Sequence, residues 1–182
     1  VRSAPDGAGR PGQAWSHRSG KVDLRPLAPG DWSPEALTAR AQIAEAFSRF
    51  GTAFDEARVD VLCSCFTDDA LFEVGLGSAE PRTRFGSRQE IAEQLPGRIA
   101  AQADQRRHLM GNVLVEQLDL EAGTAKALAY SVVTVASDGL SLGASVIYTS
   151  ELRREDDGCW RFSSFFIGMD EYLPTSRQDG SA

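Results

Sequence analysis

This 182-residue chain contains two histidines, and they keep different company. His17 belongs to a Gly-, Ser- and Arg-rich stretch, whereas His108 opens the apolar run RRHLMGNVLV at residues 106–115. Histidine is the side chain that exchanges a proton between about pH 5 and 8, which makes His108 the candidate proton carrier. If the run is a strand, side chains alternate between faces. His108, Met110, Asn112 and Leu114 then share one face, and Leu109, Gly111, Val113 and Val115 the other. A face of His, Met and Asn followed by Leu suits a mixed polar and apolar pocket better than a dry core.

Asp55 is the candidate partner. It follows Phe54 at the edge of an apolar helical stripe, one turn after Gly51. A carboxylate bonded to one imidazole nitrogen fixes the tautomer and leaves the other nitrogen free to move a proton. Positioned acid–base catalysis contributes about 10²- to 10⁴-fold, enough to eliminate water, shift a double bond or close a ring. Tyr130 and Tyr148 offer hydroxyls to orient an oxygenated ligand, and Phe166 could serve both core and ligand. Plainer readings stand beside these. His108 could be a hydrogen-bonded strand residue and Asp55 a helix-terminal acid, and Gly51 could serve either a ligand or close helix packing. Asp68 and Asp69 read as turn-capping acids, and Glu73 suits pocket or solvent equally.

No nucleophile elbow, phosphate loop or metal motif is present, so the expected chemistry is cofactor-free and metal-free. Cys63 and Cys65 have the wrong spacing for a redox pair and, with Cys159, read as small reduced core hydrophobes.

These residues need elements to hold them. Residues 1–32 have no periodicity and read as a flexible leader that Leu24, Leu27 and Trp32 could anchor. One domain is expected over residues 33–173, with a flexible tail at 174–182. Ser33-Pro34-Glu35 is a helix start. Leu37, Ala41, Ala44, Phe47, Phe50 and Phe54 give the helix an apolar stripe. A short helix is expected over residues 58–66, and FTDDALFEV turns from loop into strand. Ser87 and Glu90 form a capping box for a third helix, which Pro96 should kink or split. Four period-two runs follow, at residues 108–118, 124–136, 140–153 and 159–167, joined by glycine-bearing turns. The fold class is therefore α+β, with helices on one face of a curved antiparallel sheet.

The formal net charge of −7 argues against nucleic acid and anionic membrane surfaces as partners. No apolar run could span a bilayer and no signal-type segment opens the chain, which predicts a soluble, cytoplasmic protein.

The layout resembles the NTF2-like fold, and several phrases resemble its SnoaL-like branch, with scytalone dehydratase-like and polyketide cyclase-like members. These are FDEARVDVLCSCFTDDALFE, FGSRQEIAEQL, RRHLMGNVLV and DGCWRFSSFFI. The resemblance implies a cone-shaped sheet wrapped around a long N-terminal helix, with a pocket at the open end. It implies that Asp55 and His108 occupy the positions of the dehydratases' pocket Asp and first pocket His. Phe54 stands where that family has a Tyr, and the second pocket His has no counterpart, since the strand around Tyr130 offers only Ser131 and Thr134. The implied function is a cofactor-free dehydratase, isomerase or cyclase acting on a small apolar oxygenated ligand, of polyketide or terpenoid type. Substrate contacts would come from Phe54, Met110, Asn112, Tyr130, Tyr148 and Phe166. The alternative is a non-catalytic ligand-binding or assembly subunit, like the β subunits of ring-hydroxylating dioxygenases. A homodimer is compatible with both.

Overall fold

The computed structural model describes residues 32–76 and 81–170. The leader before Trp32, including Leu24 and Leu27, and the tail at 174–182 lie outside the described residues. Helix α1 (Pro34–Asp55) starts as its sequence dictates. The Ser33 hydroxyl accepts from the Ala36 amide at 3.2 Å, and Pro34 takes the first position, where no amide is needed. Its buried face is Ala36, Ala39, Ile43, Phe47, Phe50 and Ala53. The expected stripe is therefore out of phase in its first half. Small alanines, rather than Leu37, face the sheet there, and Leu37 is half exposed.

Helix α2 (Val59–Ser64) leads into β1 (Phe66–Leu76), and the short β2 (Thr83–Phe85) folds back antiparallel on it. Helix α3 (Arg88–Ala100) is capped by Ser87, whose hydroxyl accepts from the Glu90 amide at 3.1 Å. The Glu90 carboxylate accepts from the amide of Gly86 rather than that of Ser87, one residue off the usual box. Pro96 does not split α3, which runs through it and forgoes one backbone bond.

Strands β3 (Gln105–Asp119), β4 (Thr124–Ala136), β5 (Leu140–Arg154) and β6 (Trp160–Met169) form the expected antiparallel meander. Two turn glycines, Gly123 and Gly158, take positive φ. The sheet order is β2-β1-β6-β5-β4-β3, and β1 pairs with β6 in parallel. The sheet is thus mixed rather than antiparallel throughout, because β1 joins the meander through a non-local pairing. Irregular register in β3–β4, β4–β5 and β5–β6 bends it around α1. The result is an α+β fold with a curved, unclosed sheet. An aromatic cluster on α1, β1 and β6 fills the space between, with Phe165 centred 4.6 Å from Phe50 and 4.5 Å from Phe162. Among the described residues no helix is long and apolar enough to cross a membrane.

Candidate functional site

The last turn of α1 is fastened to the start of β3. Gln105 donates to the Asp55 carbonyl at 3.3 Å, Arg107 pairs with Glu56 at 2.9 Å, and Asp55 grips His108 at two points. One carboxylate oxygen of Asp55 accepts from the His108 backbone amide at 2.7 Å. The other lies 2.6 Å from the ring Nδ1. Gly51 makes the approach possible, since a Cβ there would stand 3.1 Å from both the His108 Cβ and the Met110 Cγ. Of the two reasons open for this glycine, close packing is the one realised. Met110 is consequently wedged under α1, beside the core, rather than in the cavity wall.

His108 opens onto a cavity of about 510 Å³. The cavity is enclosed by Phe50, Phe54, Phe72, Val133, Tyr148 and Ile167, with Thr83, Arg98, Gln102 and Arg106 adding polar groups. The Phe54 ring meets the imidazole edge-on, its centroid 5.1 Å away. Gly143 completes the β5 wall, where a Cβ would come within 2.4 Å of the Val135 side chain. Asp55 lies behind His108. Their side chains are only 6% and 10% exposed, so little water competes for the contact.

A carboxylate can only accept, so the neutral imidazole carries its proton on Nδ1 and presents Nε2 with a free lone pair. Tyr148 is the second polar group. Burial raises its hydroxyl well above the usual value, a nearby Ser131 hydroxyl opposes this, and the Asp55 charge adds to it. Tyr148 is therefore a neutral donor throughout the physiological range. Ser131 Oγ, buried on β4, makes no hydrogen bond of good geometry among the described residues. A lone pair with a fixed tautomer and a neutral phenol sharing one apolar cavity can remove a proton from carbon and steady an adjacent oxyanion. Among the described residues no three His, Cys, Asp or Glu side chains converge to hold a metal ion.

Of the residues expected at a site, Phe54, His108 and Tyr148 line this cavity. Asn112, Tyr130 and Phe166 do not. Asn112 sits at a bulge in β3 with φ 49°, where three steps from Gly111 to Leu114 face two on β4. The extra residue reverses the alternation, so Asn112 and Leu114 turn outward while Val113 and Val115 turn in. Tyr130 pairs with Gly111 and stands 49% exposed on the outer face. Phe166 follows the core residue Phe165 and leaves the opposite side of the pleat, as does Glu73, its partner on β1, which pairs with Arg84. Asp69 bonds Thr67 and Arg153, and Asp68 pairs with Arg88, as structural acids do. Arg98, Gln102 and Thr83 line the cavity without belonging to any motif in the sequence. Arg98 lies on α3, Gln102 just past its C-terminal end and Thr83 on β2, and that placement beside the open end is their one sequence signal.

Among curated proteins none matches the chain. Solved structures do. A protein described as the β subunit of an aromatic-ring-hydroxylating dioxygenase, from Novosphingobium aromaticivorans, is 20% identical over 76% of this chain and 93% of that one, with a TM-score of 0.66. ActVI-ORFA from Streptomyces coelicolor is 20% identical over 71% and 95%, with a TM-score of 0.59. A Catenulispora acidiphila protein in complex with S-DNPA is 24% identical over 74% and 94%, with a TM-score of 0.60. At such identities the likeness speaks for the cystatin-like, NTF2-like fold. The family model for the SnoaL-like domain matches residues 35–165, most of the chain, and with the cone, the helix and the cavity in place the chain belongs to the SnoaL-like domain family.

Proposed function

We propose that this protein is a cofactor-free acid–base enzyme, a dehydratase, isomerase or cyclase, acting on a small apolar oxygenated metabolite of polyketide or terpenoid type. The observation that carries the reading is the Asp55–His108 pair, doubly bonded and opening onto an apolar cavity. His108 Nε2 takes the proton from a carbon next to a carbonyl, and the C–H electron pair passes into the enolate. Asp55 stabilises the imidazolium that forms, and Tyr148 donates to the enolate oxygen. Returning the proton to a departing hydroxyl completes dehydration, and returning it to another carbon completes isomerisation. The free thiols Cys63, Cys65 and Cys159 suit a cytoplasmic location.

The test uses 2-tetralone in heavy water, with deuterium entry next to the carbonyl followed by NMR. Acceleration over buffer is expected, and it should be lost in His108→Gln. A wild-type rate no faster than buffer would overturn the reading.

One observation favours a second reading. Leu109, Tyr130 and Val132 form an exposed apolar strip on the outer face of β3 and β4. Such a strip suits assembly, either as a homodimer or as a non-catalytic subunit. Sedimentation of the wild type against Val132→Glu tests it, a wholly monomeric wild type being the outcome against it.

A further inference from the structure

Two arginines line the cavity, and they are not equivalent. Arg106 is committed to Asp104, with Nε 2.9 Å and Nη2 3.4 Å from its carboxylate oxygens. Arg98, in the last turn of α3, has no carboxylate partner among the described residues. Its only hydrogen bond there runs from Nη1 to the Thr83 hydroxyl at 3.1 Å, and its guanidinium carbon lies 5.5 Å from the centre of the Phe85 ring. A cation in the last helical turn is favourable wherever it points. That does not account for its being laid over β2 at the rim of an apolar cavity. Thr83 and Phe85 hold the guanidinium in place and leave Nε and Nη2 unused.

We infer that Arg98 is the anion-recognising residue of this cavity, whose ligand is an amphipathic acid with a flat apolar body and a carboxylate. The body lies among Phe50, Phe72 and Tyr148, near His108, and the carboxylate takes the free edge of the Arg98 guanidinium, the fork-to-fork geometry that arginine favours. On a chain of net charge −7 a local cation is needed to admit an anion at all. The Asp104 carboxylate already neutralises Arg106, so the charge that selects is that of Arg98. The inference rests on the cavity being the ligand site and not on what His108 does there.

The test is calorimetric binding of 2-naphthoate and of its uncharged counterpart 2-naphthamide to the full chain at neutral pH and low salt. Wild type should prefer the acid by about tenfold, the size of one charge-assisted hydrogen-bonded pair. Arg98→Met keeps a stem over Phe85, and Arg98 is exposed, so the fold should survive. This variant should lose the preference while binding the amide as before. Equal binding of acid and amide by wild type, a preference that survives in Arg98→Met, or binding of neither ligand would overturn the inference. If the preference holds but the wild type exchanges no deuterium into 2-tetralone, the acid–base reading fails alone. If exchange occurs without the preference, this inference fails alone.

Discussion

Asp55→Asn exchanges one oxygen for an amino group inside a contact only 6% exposed, and its effects can be worked through atom by atom. The amide oxygen can still accept from the His108 backbone amide. The amide nitrogen then faces Nδ1 and brings a donor where the imidazole also carried one. The ring relieves the clash by moving its proton to Nε2, so that Nδ1 accepts. Both contacts survive as neutral hydrogen bonds. Bonds to a charged group contribute about 1.5–3 kcal/mol and neutral ones about 0.5–1.5, so two such exchanges should cost about 2 kcal/mol. Asp55→Ala leaves both donors buried without an acceptor and should cost about 3–5 kcal/mol.

Function should suffer far more than stability. The nitrogen facing the cavity turns from base to donor, and a wrong tautomer in an Asp–His pair is worth up to about 10⁴-fold in rate. Urea unfolding reads the first effect, and deuterium entry into 2-tetralone reads the second. Imidazole ¹⁵N shifts read the tautomer itself, without any substrate. If the Asp55→Asn ring keeps its proton on Nδ1, or if exchange stays within about threefold of wild type, Asp55 is not what sets the chemistry of His108.

Gly51→Ala should gain about 1 kcal/mol of helix propensity and lose as much or more to the 3.1 Å approach to His108 Cβ. Near-wild-type unfolding with a clear loss of exchange is expected, and an unchanged rate would mean that the spacing does not matter. Burial pushes the Cys65 thiol up to about 11 and raises that of half-buried Cys63 as well. Maleimide at neutral pH should therefore modify exposed Cys159 first, Cys63 slowly and Cys65 only on unfolding; peptide mass mapping would expose equal labelling of all three. Arg153, with help from the Thr67 hydroxyl, holds the Asp69 carboxyl at about 2, below its ordinary 3.8. A depressed carboxyl stabilises the fold above about pH 4 and loses that contribution as pH falls toward 2. Both side chains are well exposed, so Asp69→Asn should cost less than about 1 kcal/mol at pH 7. The gap to wild type should close in urea titrations near pH 2, and a gap that widened on acidification would reverse the assignment.

The parts of the fold that were legible in sequence are those encoded locally. Ser33-Pro34-Glu35, the Ser87–Glu90 pair and the glycine turns each announce an element through its own backbone needs, and the structure places all of them. What escaped was set by partners distant in sequence. The parallel union of β1 with β6 joins residues about ninety apart, and nothing in FTDDALFEV specifies it. Leu37 is the more apolar residue and its pattern suggests a different phase for α1, but the structure buries Ala36 and Ala39 and leaves Leu37 half exposed. Strict alternation points Asn112 inward, and a single inserted residue reverses it.

That inserted residue also explains how one strand serves two purposes. Before the bulge, β3 turns His108 toward the end of α1 and the open cavity. After it, the strand turns Val113 and Val115 toward the body of the helix. Without the bulge, the alternation that brings His108 inward would bring Asn112 and Leu114 inward with it and expose Val113 and Val115. A polar side chain would then lie where α1 is apolar. Asn tolerates the left-handed φ of 49° better than most side chains, so its presence at 112 supports the bend rather than the ligand. The residue that looked like a substrate contact is the one that lets the strand present a histidine at one end and a hydrophobic wall at the other.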